Sequence, residues 1–123
     1  MRRQNNRQIG DEKEAFVCEW LEKRGFAIVE RNFRCRSGEI DIVAREDGYL
    51  VFIEVKYRHD AECGDPSEAV DRRKQQTISR VALFYMLRHG HAENTPVRFD
   101  VVTVSGGDEV EVVLYRNAFE YCG

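Results

Sequence analysis

With 123 residues, 42% of them hydrophobic and 33% charged, the chain has the size and composition of one folded domain, able to bury a core without disulfides or a structural metal. Its formal net charge of -3 excludes a protein that coats nucleic acid indiscriminately, because such binding rests on an excess of Lys and Arg that displaces counterions from phosphates. No apolar run nears the ~20 residues that span a bilayer, and the opening MRRQNNRQ lacks the apolar segment of a secretory signal, so a cytoplasmic protein with no membrane partner is expected.

Residues 1–8 are polar, basic and without periodicity, and read as a flexible tail ahead of a single domain over 9–123. From Ile9 the pattern turns helical: Phe16, Val17, Trp20 and Leu21 fall on one face and Gly25 marks the stop. Phe16 and Trp20, like Phe84 and Tyr85 further on, are expected in the core. A strand over 26–33 and a polar loop over 34–38 follow. Two β-rich runs, 39–45 and 49–57, are joined by Asp47-Gly48, the dipeptide that most favours a two-residue type I′ hairpin turn. Gly64 and Pro66 make 59–67 an irregular loop. A second helix is expected from Glu68 or Asp71 to Arg88, with Ile78, Val81, Ala82 and Tyr85 on one side and Gly90 ending it. Runs 97–104 and 110–116 close the chain as strands around Gly106-Gly107. The order α-β-β-β-α-β-β, a local hairpin followed by a crossover helix, predicts an α/β fold: a mixed sheet of about five strands flanked by helices. Cys18, Cys35, Cys63 and Cys122 are scattered, with no CxxC pair, which supports neither zinc nor a disulfide framework.

Charge is unevenly spread. Residues 1–36 carry nine Lys or Arg against six acids, whereas 37–60 carry three against six. If Asp47 and Gly48 are the turn residues, Glu46 pairs with Tyr49 and every further pair sums to 95. Asp41 then lies opposite Glu54, and Glu39 opposite Lys56, all four on one side of the sheet with Val43 and Phe52; Ile40, Ile42, Val51, Ile53 and Val55 take the other. Two facing carboxylates about 5 Å apart at Cβ repel each other. A shared proton, a solvated edge or a hard divalent cation would each offset this, and carboxylate oxygens are the usual protein ligands of such a cation. Glu39 and Lys56 could instead simply pair across the strands. Glu14 continues the inward stripe of the first helix and serves either as a partner of the helix dipole or as a third acid facing the sheet. Glu14, Asp41 and Glu54 would supply oxygens to Mg²⁺ or Mn²⁺, with the Lys56 ammonium beside them, and cation, water and lysine together are what phosphodiester hydrolysis requires. Lys56 would steady developing charge, or orient or deprotonate the water.

Arg72, Arg73 and Lys74 sit in the first turn of the second helix, where they either meet phosphate or form a solvated cluster. Arg58 either reaches a nucleic-acid backbone or pairs with Asp60. Arg2, Arg3, Arg7, Arg34 and Arg36 are candidate phosphate contacts that would position nucleic acid without reading its sequence. His89 and His91 have no partners at ligand spacing, and Asp100, in a strongly apolar strand, reads as structural.

These residues carry a resemblance that runs through nearly the whole chain: Gly10 and Glu14, then Gly38-Glu39-Ile40-Asp41, Val51 to Lys56, Glu68 to Asp71, Lys74-Gln75, Arg98 to Val102 and Asn117 to Phe119. An acid on the first helix followed by D-x12-ExK on a hairpin resembles the PD-(D/E)XK nuclease superfamily, whose fold is restriction-endonuclease-like. More narrowly, the chain resembles the YraN-like family of uncharacterised bacterial proteins, predicted endonucleases distantly similar to archaeal Holliday-junction resolvases. The resemblance implies a metal-dependent endonuclease acting on DNA, of branched or structured form, with Asp41, Glu54 and Lys56 at the positions of the catalytic triplet, Glu14 at that of the helix acid, and Gln75 at a polar helix position. It also implies a homodimer. Lys13 stands where a glycine usually precedes the helix acid, and Tyr57 where a small hydroxyl residue is common. A binding module that keeps the scaffold without turnover is the alternative.

Overall fold

A computed structural model describes residues 6–58, 70–91, 94–106 and 109–122, with side chains from residue 12 onward. The elements are α1 (Asn6–Glu22), β1 (Ala27–Cys35), β2 (Gly38–Glu46), β3 (Tyr49–Arg58), α2 (Arg72–Arg88), β4 (Val97–Ser105) and β5 (Glu111–Phe119). Their order is the expected one, and the five strands form one sheet in the order β1-β2-β3-β4-β5. Only the β3/β4 pair is parallel; the other three are antiparallel. The mixed sheet therefore arises from one crossover, the segment that carries α2. No described helix is long and apolar enough to cross a membrane.

Three boundaries differ most from expectation, among them the end of β5, which runs on from 116 to Phe119. Helix α1 begins at Asn6, so residues 6–8 of the expected tail are helical, while 1–5 lie outside the described residues. Strand β1 runs on to Cys35, pairing Cys35 with Gly38 and reducing the expected polar loop to a two-residue turn at Arg36 and Ser37. The loop expected over 59–67, with Cys63, Asp60 and Glu68, also lies outside the described residues. Cys18, Cys35 and Cys122 are free thiols.

The core is two layers separated by the sheet. On one face Val17, Cys18 and Leu21 of α1, with Phe26 just after it, meet Ile42, Ala44, Val51, Ile53, Val55, Val102 and Val104. On the other, Ile78, Val81, Ala82 and Tyr85 of α2 meet Phe33, Ile40, Val43, Leu50, Phe52, Phe99 and Val101. A strand buried on both faces loses the polar alternation that marks a half-exposed one, and β4 is accordingly buried from Arg98 to Val104. Not every expected core residue is inside: Phe16 is 45% exposed and Phe84 44%, whereas Tyr85 is buried and Trp20 packs at the margin of the α1 layer. Helix α2 starts cleanly because the Asp71 carboxylate accepts a hydrogen bond from the Lys74 amide at 2.8 Å, satisfying one of the unpaired donors of a first helical turn.

Ile40 falls on the face opposite to the one expected. It shares the α2 layer with Phe33, while Ile42, two residues on, lies in the α1 layer. Two residues of a regular strand share a side, so β2 turns over between them. Asn32 and Asp41 fall between the pairs Arg31↔Ile42 and Phe33↔Ile40, and Asn32 has a left-handed φ of 54°. That backbone twist lets both strands change sides together. Gly38, at the start of β2, has φ 148°, and a Cβ there would lie 2.7 Å from Thr77 Cγ2 of α2. Gly38→Ala is expected to cost about 2 kcal/mol, from backbone strain and the push on α2; a melting curve indistinguishable from that of the unsubstituted protein would contradict this close approach.

Candidate metal centre and nucleic-acid interface

The hairpin register holds over the described ladder. Asp47 and Gly48 have φ of 51° and 82°, as a type I′ turn requires, and the pairs run from Glu46↔Tyr49 to Ile42↔Ile53. The ladder then stops, one position short of Asp41 and Glu54. Where β2 and β3 part, Asp41 Oδ2 accepts a hydrogen bond from the Val55 amide at 2.8 Å. The carboxylate thus takes the place of a lost backbone acceptor, and the side-switch at Asp41 holds it in the opening between the strands.

Glu54 stands on the facing side of that opening with its side chain only 14% exposed. Burial and the neighbouring Asp41 charge raise its pKa to about 7, against the opposing pull of Lys74 and Lys56. Asp41 is raised as well, mainly by burial, with the Val55 amide pulling the other way and Glu39 and Glu14 pushing further. Two partly buried acids, with Asp41 raising the pKa of Glu54, mark a local deficit of positive charge. Lys74 Nζ lies 3.8 Å from Glu54 Oε1, so the residue expected to meet phosphate reaches into the acid pair. Lys56 is exposed and also acts on Glu54.

Two acids flank the pair, and each is held by an arginine of β1. Glu14 Oε1 accepts from Arg31 Nε at 3.4 Å, and Glu39 Oε2 from Arg34 Nε at 3.2 Å. Glu39 therefore pairs with Arg34, its partner across the β1/β2 ladder, where Lys56 was the expected alternative. Glu39 raises the pKa of both central acids, while Glu14 acts on Asp41. Sequence reasoning took Arg34 for a phosphate contact and did not single out Arg31, so it missed both pairings. The signal was present for Arg34: once Arg36 and Ser37 are taken as a two-residue turn, Arg34 falls opposite Glu39.

Among the described residues no three His, Cys, Asp or Glu side chains converge closely enough to form a ready-made metal cage. The fit to a divalent cation rests instead on the central pair: hard oxygen donors, mutually repelling and partly desolvated, with remaining positions open to water, the arrangement Mg²⁺ favours.

The outer residues are spread around this centre. Arg72 and Arg73 are exposed in the first turn of α2, and Arg36 is exposed in the β1/β2 turn. Arg58 ends β3. Gln75 is tied locally, its side-chain Nε2 donating to the Val70 carbonyl at 3.0 Å, which anchors the segment entering α2. Asp100 is fully buried and accepts from Arg98 Nε and Nη2, both at 2.8 Å, and from the Asn117 amide at 2.9 Å. His89 Nδ1 lies 2.9 Å from the Tyr85 carbonyl, with its ring stacked on that of Tyr85.

Residues 13–104 match the model of a family described as Uncharacterised protein family UPF0102. Similar proteins, each called UPF0102 protein, come from Lachnoclostridium phytofermentans (47% identical, covering 97% of this chain and 98% of the relative) and Caldicellulosiruptor saccharolyticus (43%, covering 94% and 99%). A third, from Geotalea uraniireducens, is 41% identical and covers 96% and 94%.

Proposed function

The chain belongs to the uncharacterised protein family UPF0102, and we propose that within it this protein is a Mg²⁺- or Mn²⁺-dependent endonuclease of the PD-(D/E)XK type, acting on branched or structured DNA. The observation that carries this reading is the partly buried pair Asp41 and Glu54, both with raised pKa and bordered by Lys56 and Lys74. Asp41 and Glu54 would hold the cation, with Glu14 or Glu39 reaching it through water. When bound, it supplies a polarised phosphoryl oxygen and a more acidic water.

The chain's own groups supply the rest. Val55 N–H fixes the Asp41 carboxylate, so its orientation is set before any ligand arrives. Lys56 sits two residues beyond Glu54, free of any place in the core, and serves the developing negative charge or the attacking water. Lys74, 3.8 Å from Glu54, offsets part of its charge, and would be available to phosphate were a cation held by the two acids. Arg36, Arg58, Arg72 and Arg73 would contact backbone phosphates.

Cleavage of branched, flapped and linear DNAs in Mg²⁺ or Mn²⁺ tests the reading. Asp41→Ala and Glu54→Ala are each expected to reduce the rate by about a thousandfold or more, in line with the loss of a group acting on the transition-state charge; activity that survives in both refutes the assignment. The lack of a third converging ligand among the described residues favours one other reading, a binding module without turnover. Calorimetry showing no Mn²⁺ uptake, together with salt-sensitive DNA binding, would select that second reading.

A further inference from the structure

A cavity of about 380 Å³ opens at the carboxyl ends of β3 and β4, where Tyr57 pairs with Val104 and Arg58 with Ser105. Its walls are apolar, formed by Phe16 of α1, Tyr57, Val104 and Val110. Phe16 is 45% exposed, Tyr57 41% and Val110 61%. The two aromatic rings share one cavity. On the opposite face Phe33, Phe52, Tyr85 and Phe99 are buried and touch one another, edge to face at Tyr85 and stacked between Phe52 and Phe99, whereas Phe16 and Tyr57 leave large apolar faces in water, which binding of a flat apolar ligand would relieve.

Charge narrows the choice of ligand. Among the described residues the cavity is lined by Lys13 and Arg58 against one acid, Glu12, on a molecule whose formal charge is -3. Lys13 Nζ lies 5.3 Å from the centroid of the Tyr57 ring, so one cation is already held over an aromatic face. A flat ring system attached to an anion is what such a lining complements: aromatic walls for the ring, cations for the phosphate. Position narrows it further. The charges of Glu14 and Asp41 both act on the Tyr57 hydroxyl, so the cavity borders the proposed metal centre.

We propose that this cavity takes an unpaired nucleobase of the DNA substrate, stacked on Phe16 and Tyr57, with its phosphate near Lys13 and Arg58. The inference rests on the nuclease reading for its choice of polymer and goes beyond it by specifying the substrate. A base inside a duplex has both faces covered by neighbours and its edge paired, so it cannot enter without being extruded. The pocket selects DNA that offers an unpaired nucleotide beside the scissile phosphate, as at a flap, a gap or a branch point.

The test uses the full chain in EDTA, so that binding is measured without metal or turnover. The probes are a single-stranded oligonucleotide carrying 2-aminopurine and a blunt duplex of the same sequence. The expected result is tighter binding of the single strand, with a change in 2-aminopurine emission as the base stacks. Phe16→Leu and Tyr57→Leu keep apolar volume at half-exposed positions; melting curves verify that each variant is folded. Each is expected to weaken single-strand binding by about 5- to 50-fold and to abolish the emission change, with duplex binding unaltered. Unchanged single-strand affinity in both variants, or equal losses for single strand and duplex, overturns the proposal. If the protein neither takes up Mn²⁺ nor cleaves, yet the leucine variants lose single-strand binding, the nuclease reading fails and the pocket stands. Cleavage that depends on Asp41 and Glu54 but is indifferent to the leucine substitutions overturns the pocket and leaves the nuclease reading in place.

Discussion

Replacing Glu54 with glutamine is expected to stabilise the metal-free protein by up to about 3 kcal/mol at pH 8 and to leave its stability unchanged near pH 4. The sign follows from the direction of the shift. Glu54 has its pKa raised from 4.5 to about 7, chiefly by burial and then by Asp41, so the folded state holds the proton more tightly than the unfolded chain does. Below pH 4.5 both states carry a neutral carboxyl and nothing is lost. Between 4.5 and 7 the unfolded chain ionises first and the native state is progressively penalised; above 7 the penalty is complete. Glutamine has nearly the same shape and never ionises. It leaves Lys74 without its carboxylate, but that lysine is 45% exposed and water replaces the partner at little cost. Saturating Mn²⁺ should raise the melting temperature of the unsubstituted protein at pH 8 by mass action and leave that of Glu54→Gln where it was. Chemical unfolding at pH 4 and pH 8, with and without Mn²⁺, reads all four cases, and a glutamine variant less stable than the parent at pH 8 would show that the two acids do not repel.

Loss of the Asp100 side chain is expected to have the largest destabilising effect in the molecule, about 3 to 5 kcal/mol for Asp100→Ala. Asp100 and Glu46 together compensate Arg98, which is itself buried, and Glu46 also accepts from Arg116 at 2.8 and 2.7 Å. Removing Asp100 leaves a buried guanidinium short of acceptors and the Asn117 amide without its carboxylate. Arg116→Ala should cost under about 1 kcal/mol, because its side chain is 49% exposed and solvent replaces the lost partner. This network responds to pH with the opposite sign to Glu54. The Arg116 hydrogen bond, with Arg98 assisting against burial, lowers the Glu46 pKa, so its contribution is present above the ordinary glutamate range and is lost as acid protonates it. Equal losses for Asp100→Ala and Arg116→Ala in denaturant unfolding would show that burial does not govern the energetics of the cluster.

The hairpin was legible because a two-residue turn at Asp47 and Gly48 leaves one register, and that register brings Asp41 and Glu54 to the same end of the ladder. The helices were legible through their apolar spacing, and α2 begins at Asp71 because a short acidic side chain caps it. What escaped lies in three dimensions. The side-switch of β2 depends on the conformation of Asn32 in a neighbouring strand, so counting along the hairpin put Ile40 on the wrong face. Lys74 reaches Glu54 only because α2 crosses the sheet at one particular height, which no local pattern encodes. Phe16 and Phe84 have core-like chemistry and helical spacing, yet stay half-exposed, each beside a neighbour, Val17 or Tyr85, that takes the buried position. Arg98 and Asp100 are two residues apart on one strand, which placed Asp100 in a structural role, but their third partner, Glu46, is 52 residues away in sequence.

The sheet's single parallel pair dictates the order in which the molecule can assemble. Strands β1, β2 and β3 follow one another through two-residue turns, so they can zip together locally, whereas β3 meets β4 only across the long connection that carries α2. Closing so long a loop is slow compared with forming a hairpin. A hairpin formed alone would carry both carboxylates without the burial that raises their affinity for protons and without Lys74, which lowers it. The acid pair reaches its folded setting only when α2 and β4 have joined β3.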